Sequence, residues 1–383
     1  MIRRPPRSTL DRSSAASDVY KRQLVYRSMQ RVRYPPFEHS HMDPQAVPII
    51  EVVVESEDPP PPSFRIGADD DWMVEWRGCK ADDPNLPGIS CEVSREPFPF
   101  LLRTREGWYI EPDPLHKTAR RLIRPTVVLL IVALLVHSME PGLVSLGILS
   151  ESFAGSYRVG PLDYPKLLLL AFPVFMIPIV FRMIANLRDI KRQTDFIASP
   201  VEPPEIFLVV EGDGVRASRV IMPIDTIAVR GRLQVGVAVP ERGKVLESLQ
   251  REEGGQPSPG MSTRLPESRI TSGEELGTGV GEATPMPVAH PRVLLLEPMR
   301  VHDPGEWVEM RGGGTEVVFN GPANRWPGSI YSALIAVHWE VVIDAIRDDG
   351  TRIKWVSHVI VPERHGLGEI AKLPVRSGRI ESA

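Results

Sequence analysis

Ten consecutive apolar residues, 127–136, constrain this chain more than any other feature, because a second apolar run follows at residues 167–184. Together with the apolar stretch 143–149, the first segment extends over residues 126–149 and reaches the roughly 20 residues needed to cross about 30 Å of hydrocarbon. The second, residues 167–187, is interrupted up to Ile184 only by Pro173, Pro178 and Arg182. Prolines are tolerated in membrane helices, and an arginine near the end of a span can snorkel to the interface. A transmembrane hairpin over residues 115–192 is the expectation.

The flanking charges orient it. Lys117, Arg120, Arg121 and Arg124 precede the first span, and Arg182, Arg188, Lys191 and Arg192 close the second. The intervening loop, residues 150–166, holds only Arg158 and Lys166. Because positive residues stay in the cytoplasm, both termini should be cytoplasmic, giving a two-span, multi-pass integral membrane protein.

The remainder reads as mainly β. Thirty-nine prolines and thirty glycines among 383 residues argue against long helical repeats. Residues 47–55 form a β-branched run stopped by four prolines at 59–62, and strand-like stretches follow at 63–66, 72–79, 89–93 and 100–110. Residues 47–114 are thus a small β-rich segment, and more strands are expected over 193–239. Residues 240–291 lose periodicity and read as a disordered linker or long loop. Residues 292–365 resume the strand pattern, with Asp348-Asp349-Gly350 as a hairpin turn. There Val337, Trp339, Val341 and Ile343 should share one face, with His338, Glu340 and Val342 on the other. Residues 1–46 read as a disordered lead and 366–383 as a tail. Whether the two β regions form one body is left open by the pattern.

Residues 326–363 carry a resemblance. The run Pro327-Gly328-Ser329-Ile330-Tyr331, then Ile335 to Val341 with Trp339 and Glu340, a turn, and Val359-Ile360-Val361-Pro362 resembles the last hairpin of arrestin-like β-sandwich domains. The resemblance implies a protein-binding scaffold without catalytic residues. The long stretch 240–291 departs from a compact version of that fold. Residues 1–23 resemble a different thing, a translated sequencing-adapter read joined to a gene fragment, which would leave the true N-terminus open and Met29 or Met42 as either an internal start or an ordinary internal methionine.

Chemical signals are few. There is no nucleophile elbow, phosphate loop, dinucleotide fingerprint or zinc-protease motif. Cys79 and Cys91 could pair, yet cytoplasmic thiols ordinarily stay reduced. Asp69, Asp70 and Asp71 read as a solvated loop in preference to a cation site. His137 and Glu140 read as a helix end at the interface, with an ion path as the alternative. Gly312, Gly313 and Gly314 read as a hairpin loop. His302, Asp303 and Glu306 lie at an ordinary turn, and only partners from elsewhere in the chain would make them a site.

The expectation is therefore a membrane-anchored protein-interaction or scaffold module: a two-helix transmembrane hairpin with cytoplasmic β-rich domains, a β-sandwich among them. The bilayer and another protein are the expected partners, with no nucleic acid. No catalytic, cofactor-binding or metal-binding residue is assigned. Two alternatives are a transporter or channel subunit with Glu140 facing the interior of an oligomer, and a membrane-bound enzyme whose site assembles from scattered residues.

Overall fold

Alternating burial along short β-branched segments makes strand the commonest element of the chain. The computed structural model describes residues 25–34, 43–79, 86–110, 113–150, 152–212, 214–239, 242–250, 286–287, 301–310, 316–363 and 370–374. In chain order β1 (Tyr26–Arg33), β2 (Ile50–Ser56), β3 (Phe64–Gly67), β4 (Met73–Gly78) and β5 (Gly88–Ser90) form one sheet in the order β3-β4-β1-β2-β5. Helix α1 (Pro99–Arg105) and strand β6 (Gly107–Ile110) lead into helix α2 (Leu115–Ser138) and the short helix α3 (Glu140–Ser145). A hairpin of β7 (Ser156–Val159) and β8 (Leu162–Pro165) then precedes the long helix α4 (Lys166–Ala198).

Beyond α4 come β9 (Glu205–Glu211), β10 (Gly214–Ile221), β11 (Thr226–Ala238), helix α5 (Arg242–Ser248), β12 (Met286–Pro287), β13 (Val301–Pro304), β14 (Val308–Glu309), β15 (Val317–Asn320), β16 (Ile330–Tyr331), β17 (Ala336–Arg347) and β18 (Arg352–Val359). Strands β15-β10-β9 make a three-stranded sheet. A larger sheet runs β12-β6-β18-β17-β11-β13, with β14 beside β11 and β16 beside β17.

One apolar cluster joins three of these sheets. It contains Val52, Val54 and Trp76 from the first, Val215 and Phe319 from the second, and Val235, Trp339 and Val341 from the third. The segments 47–114, 193–239 and 292–365 therefore share a core. The β17 faces fall as the alternation requires: Val337, Trp339, Val341 and Ile343 enter that core, and Val342 joins a separate cluster with Tyr109 and Val356.

Helix α4 is long and apolar enough to cross a membrane. Helix α2 packs along it, and because Asp113, just before α2, meets Asp189 and Arg192 near the end of α4, the two run antiparallel. The expected continuous span over 126–149 is interrupted: α2 stops at Ser138, and the chain turns at Met139 into α3. Pro141 in the first turn of α3 suits a new helix start, whereas inside a continuous helix it would remove a hydrogen bond.

Three further expectations change. The lead 1–46 contains β1, a central strand flanked by β2 and β4. Its inward positions include Ser28 and Gln30 beside Val32, so polar residues on the buried side hid the period, and the Gln30 carbonyl oxygen accepts from Ser332 Oγ at 2.9 Å. The stretch 100–110 is not a strand throughout. Pro99 starts a helix at a favoured position, Leu101 and Arg105 share its buried stripe, and Gly107 at φ +116° admits the turn into β6. Within 240–291, α5 buries Val245 and Leu246, and β12 pairs with β6. The adapter-like residues 1–23, the glycines 312–314 and most of 251–300 lie outside the described residues.

Candidate functional site

The polar side of the large sheet carries an internal ladder of charge. From α1, Arg105 reaches Glu340 on β17 through Nε to Oε2 at 3.0 Å and Nη2 to Oε1 at 2.7 Å. Gln234 on β11 donates to the same carboxylate and accepts from Arg232 Nε at 3.0 Å. His338 lies two residues before Glu340 on the same face, with Nε2 at 3.4 Å from Oε2, while its Nδ1 is 2.9 Å from Tyr331 Oη. All of these side chains are buried.

Burial alone would raise the Glu340 carboxyl, but the Arg105 guanidinium and His338 outweigh it and hold the group well below the usual carboxylate range. Burial pushes His338 down and Tyr331 up. Tyr331, His338, Glu340 and Arg105 thus have the composition of a proton relay, yet no exposed surface from which a substrate could be met. Their effect is to fix α1 and β16 onto β17.

A cleft of about 320 Å³ opens further along the same face, lined by Val229, Arg230, Glu309, Asp344, Ile346 and Arg352 among others. Arg230 Nε donates to Asp344 at 2.6 Å, and Lys354 Nζ lies 3.5 Å from the other Asp344 oxygen. The guanidiniums of Arg230 and Arg232 stand 4.2 and 4.3 Å from the Trp307 ring centroid, within cation–π range. Basic and acidic side chains alternate along this wall, so no single charge dominates it.

In this chain no family model, curated protein or solved structure finds a match. Function therefore rests on geometry alone, and two other places carry it.

The first is the base of the helix pair. His116 Nε2 is 2.9 Å from Asp189 Oδ2, and Asp189 Oδ1 accepts from the Asp113 backbone N–H at 3.0 Å. Arg192 bridges Asp113 at 3.2 Å and Asp189 at 3.4 Å. Nearby, Phe196 of α4 packs with Trp108, Ile110, Ala345 and Ile353 of the large sheet, and the Arg347 guanidinium lies 5.4 Å from the Phe196 ring centroid. The two helices are thus joined to each other by ion pairs, and α4 to the sheet by apolar packing and a cation–π contact.

The second is the outer face of the three-stranded sheet. Strand β9 alternates Ile206, Leu208 and Val210, which pack on the core, with Phe207 and Val209, which are 57% and 50% exposed. Val318 of β15 adds to that face at 47% exposed. Arg216 between them pairs with Glu211 and Glu316, each at 2.6 Å.

The residues singled out from sequence take structural positions. His137 Nδ1 lies 2.8 Å from Glu140 Oε2, and Glu140 also accepts from the Gly155 N–H, so the pair closes the turn after α2. Asp303 accepts from Trp326 Nε1 and Asn324 Nδ2, each at 2.8 Å, anchoring a buried tryptophan. Glu306 is exposed, and His302 lies in β13 opposite Gly236. Asp69 meets Arg31 and Arg65, each at 3.1 Å, and Asp71 caps its own neighbour, Trp72 N, at 2.7 Å. Cys91 is buried in the shared core and Cys79 is half-buried. Arg105, Gln234 and Asp189 were not singled out. For Glu340 the signal is a charged residue amid Val337, Trp339, Val341 and Val342; for Arg105 there is none.

Proposed function

We propose that the protein is a bilayer-anchored interaction module in which α2 and α4 cross the membrane as a two-span hairpin and hold a β-sandwich on the cytoplasmic side. The observation that carries this reading is the apolar belt of the helix pair. Packed against each other, the helices still expose Val128, Leu129, Ile131, Val132, Leu134 and Leu135 on α2, and Leu170, Phe172, Ile179 and Met183 on α4. An apolar belt of that extent is far larger than water tolerates, and a bilayer covers it.

The basic residues at the base of both helices support a cytoplasmic body. The core shared between sheets supports a sandwich, and the β17–β18 hairpin with its buried Trp339 supports the arrestin-like kinship of residues 326–363. A binding role is favoured over a catalytic one because the titratable groups of the internal ladder are sealed and the open cleft pairs its charges, Arg230 with Asp344, while the three-stranded sheet exposes apolar strand surface.

Alkaline extraction of membranes carrying the full chain tests the anchor. The protein stays in the pellet, and Leu129→Arg with Leu170→Arg shifts it to the supernatant. Release of the unsubstituted chain by alkali alone would overturn the reading.

A further inference from the structure

The two ends of β9 carry the acids Glu205 and Glu211, and between them an apolar strand forms the edge of its sheet. Among the described residues, β9 pairs with β10 alone, and no loop or cap hydrogen bond reaches its backbone. Glu211 and Gly214 flank a two-residue turn and face each other, which makes them a hydrogen-bonded pair. Alternation then directs the N–H and C=O groups of Leu208 and Val210 away from β10. An edge of five apolar residues with alternate backbone groups unpaired is a template for another strand, and native sheets ordinarily blunt such edges with lysine, proline or a covering loop. Neither lysine nor proline occurs between Glu205 and Glu211, and among the described residues no other strand pairs with the free side.

Charge decides between the possible occupants. A second copy pairing antiparallel about Leu208 would set Glu205 against Glu211 of the copy, and like charges directly opposite destabilise a ladder. The outer face holds Glu205, Glu211 and Glu316 against Arg216 and Arg219, with acids at both ends of the strand. Glu205 has no ion-pair partner among the described residues. A bilayer surface is disfavoured by the same acids. We propose that β9 is a docking edge for strand addition, and that its occupant is an extended segment of another protein with alternating apolar residues and a basic residue at each end. Backbone hydrogen bonds supply affinity, Phe207, Val209 and Val318 receive the apolar side chains, and the terminal acids fix register. The proposal rests on the reading of the chain as an interaction module and names the surface that reading requires.

The test uses the full chain in lipid nanodiscs and two fluorescent peptides, Lys-Thr-Val-Thr-Val-Thr-Lys, whose valines share a face with its lysines as Phe207 and Val209 do with Glu205 and Glu211, and its counterpart with glutamate at both ends. The lysine-ended peptide binds, the glutamate-ended peptide binds roughly tenfold more weakly, and salt narrows the gap. Val209→Ser with Phe207→Ser, both at exposed positions, abolishes binding without changing the unfolding transition. Hydrogen exchange separates strand addition from simple apolar contact: bound lysine-ended peptide slows exchange in residues 205–211. Equal binding of both peptides, binding without slowed exchange, or no binding overturns the proposal. A photo-crosslinker at exposed Ile227, on the other sheet, gives the second arm. A discrete protein adduct there with no peptide binding at β9 sinks the docking edge and leaves the interaction-module reading standing.

Discussion

Arg105 and Glu340, 235 positions apart in sequence, form a bidentate ion pair with no exposed side-chain surface. Removing one partner leaves a buried charge uncompensated, which costs about 3–5 kcal/mol, whereas replacing both by apolar residues of similar volume is far less costly. Arg105→Met and Glu340→Leu should each lower the midpoint of denaturant unfolding in detergent, and the double variant should recover much of the loss. Additive losses would show that the pair is not coupled as its geometry requires.

Acid should unfold the β body in two stages. His338 titrates below its ordinary 6.5 in the folded protein because burial disfavours its charged form. Glu340 titrates below its ordinary 4.5, Arg105 overcoming the opposing effect of burial. In both cases the unfolded chain binds a proton that the folded chain refuses, so stability falls as pH drops, first below about 6.5 and again below about 4.5. Unfolding free energy measured from pH 8 to about pH 2 should show both steps, and His338→Gln should remove the first while Arg105 preserves the second.

Gly328 should tolerate no side chain. A Cβ there would stand 2.8 Å from the Val361 carbonyl oxygen, in backbone that cannot rotate away. Ser329 N donates to that same oxygen at 2.8 Å, so the approach is fixed by the strand pairing around it. Gly328→Ala is expected to cost about 1–3 kcal/mol by overpacking, read as a lower midpoint with an unchanged denaturant slope.

The helix base should open when its acceptor is removed. Asp189→Ala leaves the Asp113 N–H and the His116 ring without their buried partner, at about 1–3 kcal/mol for each unsatisfied group. Hydrogen exchange at residues 113–118 should accelerate while exchange in β17 stays unchanged. Equal acceleration in both would mean that helices and sheet unfold as one unit.

Features written locally were legible. The Asp348-Asp349-Gly350 turn forms with Gly350 at φ +81° and Asp349 Oδ1 accepting from Thr351 N at 2.8 Å, and the β17 faces follow strict alternation. What escaped the sequence depends on distant partners. Strand β1 buries Ser28 and Gln30, which look polar and exposed until Ser332, some 300 residues later, supplies a hydrogen bond. The helix of residues 99–105 reads as a strand because Phe98, Phe100 and Leu101 are strong strand formers or neutral, and only packing under β17 selects the helix. The break at Met139 lies in the polar interval 137–142 between two apolar runs, which marks a helix end, but a proline there is equally at home within a membrane helix or at the start of a new one. Asp303 and Glu140 were visible as residues, but their roles as anchors for Trp326 and Gly155 required the fold.

Protease protection on sealed vesicles tests the central claim most directly, with one tag following Val47, another following Ile380 and a third in the β7–β8 hairpin. The account predicts that both outer tags are cut from the cytoplasmic side and that the hairpin tag is protected. Protection of either outer tag from cytoplasmic protease, or cleavage of the hairpin tag from that side, would contradict a two-span anchor with a cytoplasmic β body.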